Sequence, residues 1–298
     1  MTTERPYGKV AVFKGGISPE REVSLRSGAA VADGLRVAGY EVEEVDVVDE
    51  TPLIPAGVEG VFIALHGTFG EDGGVQRYLS GRNIPYTGSD AVASMVAFDK
   101  KVTKQRLMDK GVLTASFEVL RLGDKRTLEL PVVVKPTCQG SSVGISRVFS
   151  EEEWGKALQK AFEYGEEILV ERFVDGRECT VGIVGDIALP ILEIVVDDGY
   201  YDYAAKYTKG TTHYNVPADL VDSVADNCRE TAHEVFRLLG CRGVARVDFL
   251  VAVDGRAYVL ELNSIPGFTK NSLLPKAAAA AGIEFSELCD RIMRMAAL

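Results

Sequence analysis

Short β-branched runs at residues 10–13, 41–48 and 61–65 alternate with a helical stretch after Ser18. That alternation predicts a parallel α/β domain at the start of the chain. Ser18-Pro19 reads as the helix start, a capping hydroxyl followed by proline at the first helical position, where its missing N–H is not needed. Glu20 is then expected in the first turn, facing the strand ends. Helical sequence between about 89 and 111 leads into an α+β unit. It comprises a buried strand at 131–135, a Gly-rich loop, a helix opened by the capping box Ser150 to Glu153, and strands at 167–173 and 178–184. The tyrosine-rich segment 197–217 has no periodicity, and a long segment of that kind inside a compact domain is expected to be a functional lid. A helix over 220–239 should end at Gly240, which suits a left-handed cap, with a hairpin and two short helices after it.

The hairpin lies within 243–263, two β-rich runs separated by Asp254-Gly255, a strong signal for a two-residue turn. With those residues as the turn, Asp248 faces Glu261 and Arg246 faces Asn263, and all four side chains share one surface. The opposite surface pairs Val247 with Leu262 and Phe249 with Leu260, as a core-facing side requires. Two facing carboxylates repel unless something neutralises them. With a nearby amide they offer hard oxygen ligands suited to a magnesium ion that bridges nucleotide phosphates. The hairpin alone fits equally a surface ladder in which Arg246 simply pairs with the acids.

At 298 residues, 46% of them hydrophobic, the chain can bury substantial cores and divide into two or three domains. No stretch reaches the roughly 18 uninterrupted apolar residues of a membrane span. Residues 1–9 lack the apolar centre of a signal peptide, so a cytoplasmic protein is expected. The five cysteines (Cys138, Cys179, Cys228, Cys241, Cys289) are scattered and odd in number, with no Cys-x-x-Cys pair. That argues against a disulfide framework or a zinc site and predicts buried free thiols. A net charge of −11 disfavours sequence-independent binding to nucleic acid or anionic membrane, which needs clustered Lys and Arg. A phosphate ligand must therefore be held by local groups.

Lys135-Pro136 and the small-residue loop Gln139-Gly140-Ser141-Ser142-Val143-Gly144 form one such arrangement, with backbone N–H groups able to close over phosphates. Alone, the loop reads more readily as an ordinary turn. Other segments change that reading: Gly15-Gly16-Ile17-Ser18-Pro19-Glu20-Arg21-Glu22-Val23-Ser24, His66-Gly67 with Gly70-Glu71-Asp72-Gly73, Tyr201-Asp202-Tyr203 with Lys206-Tyr207, and Glu261-Leu262-Asn263-Ser264-Ile265-Pro266-Gly267-Phe268-Thr269. In collinear order over nearly the whole chain, the set resembles the ATP-grasp superfamily and, within it, the D-alanine:D-alanine ligases. A dinucleotide oxidoreductase, suggested by Gly15-Gly16 after a strand, lacks the third phosphate-loop glycine.

The resemblance implies an ATP-grasp fold of α/β and α+β parts. An N-terminal parallel α/β (Rossmann-like) substrate-binding domain spans 1–96, a central subdomain 97–186, and a C-terminal subdomain 187–298 with the lid 197–217. It implies ATP-dependent joining of two D-alanine molecules through an acyl phosphate, for peptidoglycan precursors. Ligation to D-lactate or D-serine, or a regulatory ATP-grasp module without turnover, is the alternative. The implied cofactors are ATP and Mg²⁺, as two ions that Mn²⁺ can replace; the implied assembly is a homodimer, with no nucleic acid or membrane partner.

The same resemblance supplies roles. Lys100, Lys135 and Lys206 resemble nucleotide-contacting lysines, while Glu171, the backbone from Arg172 to Val174, and Glu178 resemble adenine and ribose contacts. Asp248, Glu261 and Asn263 match the magnesium ligands, in agreement with the hairpin register, and Arg246 matches the residue that stabilises the oxyanion. Glu20 would bind the ammonium of the first D-alanine, with Ser141 and Tyr207 joined to it in a group that closes the site. His66 stands beside the substrate. Gly267, Ser272 and Leu273 match the second-substrate subsite, where the helix start at Asn271 and Ser272 offers N–H groups to a carboxylate. His213 and His233 are expected to be structural. Three positions depart from the family pattern: Lys14, the lead-in Thr137-Cys138-Gln139, and Ala204, where a lid glutamate is common.

Overall fold

The structure, a computed structural model, describes residues 5–140, 142–196 and 212–298. The first lobe is built on three parallel strands, β1 (Lys9–Gly15), β2 (Glu41–Val47) and β3 (Gly60–Ile63), in the order β2-β1-β3. Alternate residues of β1 feed opposite cores. Val10 and Val12 pack with Val31 and Leu35 of helix α1 (Arg21–Val37), whereas Ala11 and Phe13 pack with Val75 and Leu79 of α2 (Gly74–Ser80). A parallel sheet covered on both faces leaves only its strand ends open, and there the loops after β1 and β3 meet.

Helices α3 (Ala91–Phe98) and α4 (Lys100–Asp109) follow, each opened by an aspartate: Asp90 accepts from the N–H of Val92 and Ala93, and Asp99 from Lys101 and Val102. They lead to strands β4 (Phe117–Arg121), β5 (Val132–Pro136), β6 (Ser146–Val148) and β7 (Glu167–Arg172), ordered β4-β7-β5-β6. Helix α5 (Glu151–Phe162) covers this sheet and begins with the expected capping box of Ser150 and Glu153.

A six-stranded antiparallel sheet contains β8 (Arg177–Val184), β9 (Ile187–Ala188), β10 (Leu192–Val196), β11 (Thr212–Asn215), β12 (Val244–Val251) and β13 (Ala257–Asn263). Its main path runs β11-β10-β8-β12-β13, with β9 pairing β8 at one end. Helix α6 (Asp222–Leu238) buries Cys228, Ala232 and Val235 against it, and Gly240 closes the helix at φ +75° as expected. The last helices, α7 (Leu273–Ala280) and α8 (Phe285–Arg294), return to the first lobe, where Leu288, Cys289 and Ile292 share a core with Val10, Val31 and Leu35.

Four expectations need correction. Helix α1 begins at Arg21, so Glu20 occupies the capping position rather than the first turn, although the Glu20 N–H does donate to Ser18 Oγ at 3.2 Å. Part of the segment read as aperiodic is strand β11, which pairs with β10 from Thr212 to Asn215. Among the free cysteines, Cys138 is only half-buried, because it sits in the loop after β5 instead of a core.

The hairpin turn has three residues. Ala252 N–H donates to Arg256 O at 2.9 Å, Gly255 N–H donates to Ala252 O at 2.9 Å, and Gly255 lies at φ +82°. Phe249 consequently pairs with Val259, not Leu260. A β-bulge between Asp248 and Phe249 absorbs the odd residue, and the expected pairs Asp248 with Glu261, Val247 with Leu262 and Arg246 with Asn263 are all formed. Val259 takes the core position at 0% exposure while Leu260 is half-buried.

Candidate active site

Glu20 approaches the cleft from the loop after β1, and two glycines make room for it. A Cβ on Gly67 would lie 2.9 Å from Glu20 Oε2, and one on Gly140 would lie 2.8 Å from the same atom. Both distances are closer than real Cβ contacts allow, so glycine at these positions lets the carboxylate lie between the first lobe and the small-residue loop. Ser18 Oγ donates to His66 O at 2.7 Å, tying the loop after β1 to the loop after β3. His66 is 5% exposed, and its Nε2 is 3.4 Å from Ser27 Oγ, which also accepts from the Phe268 N–H at 3.3 Å. Burial lowers the His66 imidazole below its ordinary range and Arg246 adds to this, outweighing Glu20 and a backbone bond to Ile265. The imidazole is therefore neutral at neutral pH.

On the opposite wall, Lys100 opens α4 with Nζ donating to Gln139 O at 2.7 Å and pairing with Glu261 at 3.1 Å. Burial acts against its charge, but Glu261 and Glu71 more than compensate, and the ammonium is held above its ordinary range. Lys135 at the end of β5 pairs with Glu171 of β7 at 2.7 Å, and Glu171 also pairs with Lys104 at 2.6 Å. Burial would raise the Glu171 carboxyl; the two ammonium groups overcome it and hold the group below the ordinary carboxylate range. Burial keeps Lys104 below its usual range despite Glu171, with Lys135 acting in the same direction. Both Glu171 oxygens are buried against ammonium groups, Oε1 beside Lys104 and Oε2 beside Lys135.

The sequence reading did not single out Lys104. Its signal was the four-residue spacing from Lys100, which puts both ammonium groups on one face of α4. At the end of β7, the Arg172 N–H donates to Ser116 O at 2.9 Å, and just beyond it the Phe173 N–H donates to Pro131 O at 3.0 Å. Val174 is half-buried on the connection into β8, and Glu178 is half-buried within β8.

The hairpin presents Arg246, Asp248, Glu261 and Asn263 together. Arg246 donates to Asp248 in a two-pronged bond, Nε to Oδ1 and an η nitrogen to Oδ2, both at 2.8 Å. Asn263 Nδ2 donates to Asp248 Oδ2 at 3.0 Å, and Thr180 Oγ1 of β8 donates to Asp248 Oδ1 at 2.5 Å. Thr180 was also missed, since nothing in the sequence places β8 beside β12. Asn263 and Glu261 line one cleft together with Glu71, Lys100, Gln139, Gly140 and Ser264. Among the described residues, no group of three or more His, Cys, Asp or Glu side chains could hold a metal ion. Two carboxylates and an amide suit instead a magnesium ion that arrives with phosphate oxygens.

At the far end, Ser272 caps α7. Its Oγ accepts from the Thr269 N–H at 3.1 Å and lies 2.9 Å from where a Gly267 Cβ would be, so Gly267 and Ser272 are in close approach. Leu273, the first helical residue, is buried with Leu192 and Ile194. Ser141, Lys206 and Tyr207 lie outside the described residues, as do the Ala204 departure and 197–211 of the expected lid. Lys14, on the central strand β1, pairs with Glu44 of β2 at 2.5 Å.

Comparison with known proteins bears on the same residues. The family model described as D-ala D-ala ligase C-terminus matches residues 105–294. A curated D-alanine–D-alanine ligase from Syntrophotalea carbinolica is 48% identical over 97% of this chain and 96% of its own length. One from Methylacidiphilum infernorum is 44% identical over 97% and 95%. Among solved structures, the D-alanine–D-alanine ligase of Bacillus anthracis superposes with a TM-score of 0.88 at 34% identity, covering 97% of each chain. The same enzyme complexed with ATP gives 0.86 at 33% identity, covering 97% of this chain and 96% of that one. With the match running through the strands and loops that build the cleft, the chain belongs to the D-alanine–D-alanine ligase family, on the ATP-grasp fold.

Proposed function

We infer that this cleft joins two D-alanine molecules to D-alanyl-D-alanine at the expense of ATP, a step that supplies peptidoglycan precursors. The observation that carries the reading is the convergence of Glu20, Lys100, Glu261 and the Arg246–Asp248–Asn263 group on one cleft between lobes. A carboxylate is a poor electrophile. The carboxylate of the first D-alanine attacks the γ-phosphorus of ATP, an acyl phosphate forms and ADP leaves; the amine of the second D-alanine then displaces phosphate.

In this scheme Glu20 receives the ammonium of the first D-alanine, with neutral His66 beside it. Lys100, Lys135 and Lys206 hold the nucleotide phosphates. Glu171 acts with the backbone of Arg172 to Val174 and with Glu178 on adenine and ribose. Arg246 stabilises the oxyanion of the tetrahedral intermediate, and Ser141 and Tyr207 join Glu20 to close the site. Gly267, Ser272 and Leu273 take the second D-alanine, whose carboxylate meets the N-terminus of α7. Asp248, Glu261 and Asn263 would hold two Mg²⁺ ions, for which Mn²⁺ can substitute. Bound there, the metal neutralises crowded phosphate oxygens.

Residues 1–96, 97–186 and 187–298 make the three functional units, with the lid over 197–217. The sheets support this division in outline, although β8 hydrogen-bonds to β12 across the last boundary. A cytoplasmic homodimer completes the reading. No helix among the described residues is long and apolar enough to cross a membrane.

Phosphate release with ATP, Mg²⁺ and, in turn, D-alanine, L-alanine, D-serine, or D-alanine plus D-lactate tests the proposal. Release with D-alanine and formation of the dipeptide are expected. At neutral pH with both acceptors present, dipeptide should exceed depsipeptide, because retained Tyr207 keeps the closing group intact; predominant depsipeptide would refute the acceptor assignment.

A further inference from the structure

Glu71 belongs to the Gly70-Glu71-Asp72-Gly73 motif, yet the scheme above gives it no task. It lies on the floor of the cleft, half-buried by surface area, with Lys100, Gln139, Gly140, Glu261 and Asn263 around it. Its bonds point backwards into its own loop. Oε2 accepts from the Gly67 N–H at 2.7 Å, while the Glu71 N–H donates to Gly67 O at 2.8 Å, so residues 67 and 71 clamp each other.

Gly67 is the residue whose missing Cβ admits the Glu20 carboxylate, and it sits at φ +68°. Its neighbour His66 is held through its carbonyl by Ser18. The clamp therefore sets one wall of the slot that holds Glu20, and Gly140 sets the other.

We propose that Glu71 is a positioning residue for the first D-alanine: by clamping Gly67 it fixes where Glu20 receives the substrate ammonium. This rests on the role given to Glu20 above. The clamp needs an acceptor oxygen at the reach of a glutamate side chain. Glu71→Gln retains it, Glu71→Asp is one methylene short, and Glu71→Ala removes it.

The test uses the full chain with ATP, Mg²⁺ and varied D-alanine, and a two-site rate law separates the donor constant from the acceptor constant. Glu71→Ala and Glu71→Asp should raise the donor constant about tenfold or more, since small misplacements of a binding group are costly. The acceptor and ATP constants should stay within about threefold, and Glu71→Gln should match the unmodified protein within the same limit. A donor constant unmoved in the Asp and Ala variants overturns the proposal. So does a Gln variant as impaired as the Ala variant, or an equal rise in all three constants. Hydrogen exchange at the Gly67 amide reads the clamp without turnover: faster exchange in Glu71→Asp than in Glu71→Gln is expected, and equal rates overturn it. Absence of dipeptide from the unmodified protein would instead defeat the reading of the reaction, with the exchange rates still deciding on the clamp.

Discussion

Glu171 balances two buried ammonium groups, so its removal leaves charges that nothing else offsets. Glu171→Ala should destabilise the fold by about 3–5 kcal/mol, the range for breaking a buried ion pair by deleting one partner. The urea midpoint would record it, and a loss under about 1 kcal/mol would show that the lysines find other partners. Because the Glu171 carboxyl lies below its ordinary range when folded, the unfolded chain takes up that proton first as pH falls. The triad's stabilisation is thus complete above the ordinary range of roughly pH 4 and declines as pH drops toward the depressed value. For His66 the lowered imidazole means that the unfolded state protonates first below about pH 6.5, so stability falls with pH there. Proton NMR of the three histidines should find one that stays neutral below that value and disappears in His66→Phe. Arg246→Ala should abolish ligation with ATP affinity kept within a few-fold, and equal loss of both would make Arg246 structural.

The hairpin shows how an element can reach the expected end by an unexpected route. Its turn is one residue longer than the Asp-Gly signal suggests, and the bulge at Asp248 restores the pairing that the acids need. Turn and site are thereby decoupled. Gly255→Ala places a side chain at φ +82° and 3.1 Å from Val224 Cγ2, and should destabilise by about 1 kcal/mol. Activity and its Mg²⁺ dependence should not change. A shifted Mg²⁺ dependence would mean that the turn, not the bulge, governs Asp248 and Glu261. The sequence showed the alternation along both strands but not the bulge, because an extra residue leaves the same apolar and polar letters in place and is placed by packing against β8 and α6.

On the scale of the whole molecule, the cores are unequal partners. The final helix shares its core with α1 and β1, so the chain ends where it begins. Tyr40 OH donates to Asp290 at 2.8 Å, and Arg242 binds the carbonyls of Gly88, Ala297 and Leu298. The four-stranded sheet has a separate core, with Leu120, Val134, Ile168 and the single tryptophan, Trp154. Fluorescence of Trp154 should therefore report an unfolding transition distinct from far-UV circular dichroism, and Val134→Ala should shift the fluorescence transition more. Coincident transitions that move together would show one cooperative unit.

The chain's own pattern determined the parallel first lobe, the capping of α5, the end of α6 at Gly240, and the facing of Asp248 with Glu261. These rest on local chemistry: β-branched runs, a cap three residues from its glutamate, a glycine at positive φ, and the two-residue period of a strand. Only the tertiary structure decided that Lys104 completes a triad with Glu171 and Lys135, and that Thr180 bonds to Asp248. It alone put Gly67 and Gly140 on either side of Glu20. Each of these contacts joins elements distant in sequence, and no periodicity along one strand or helix specifies which neighbour it will meet. Local signals fix what each segment is. Packing of the lobes fixes which charges share a cleft, and so which of them neutralise one another.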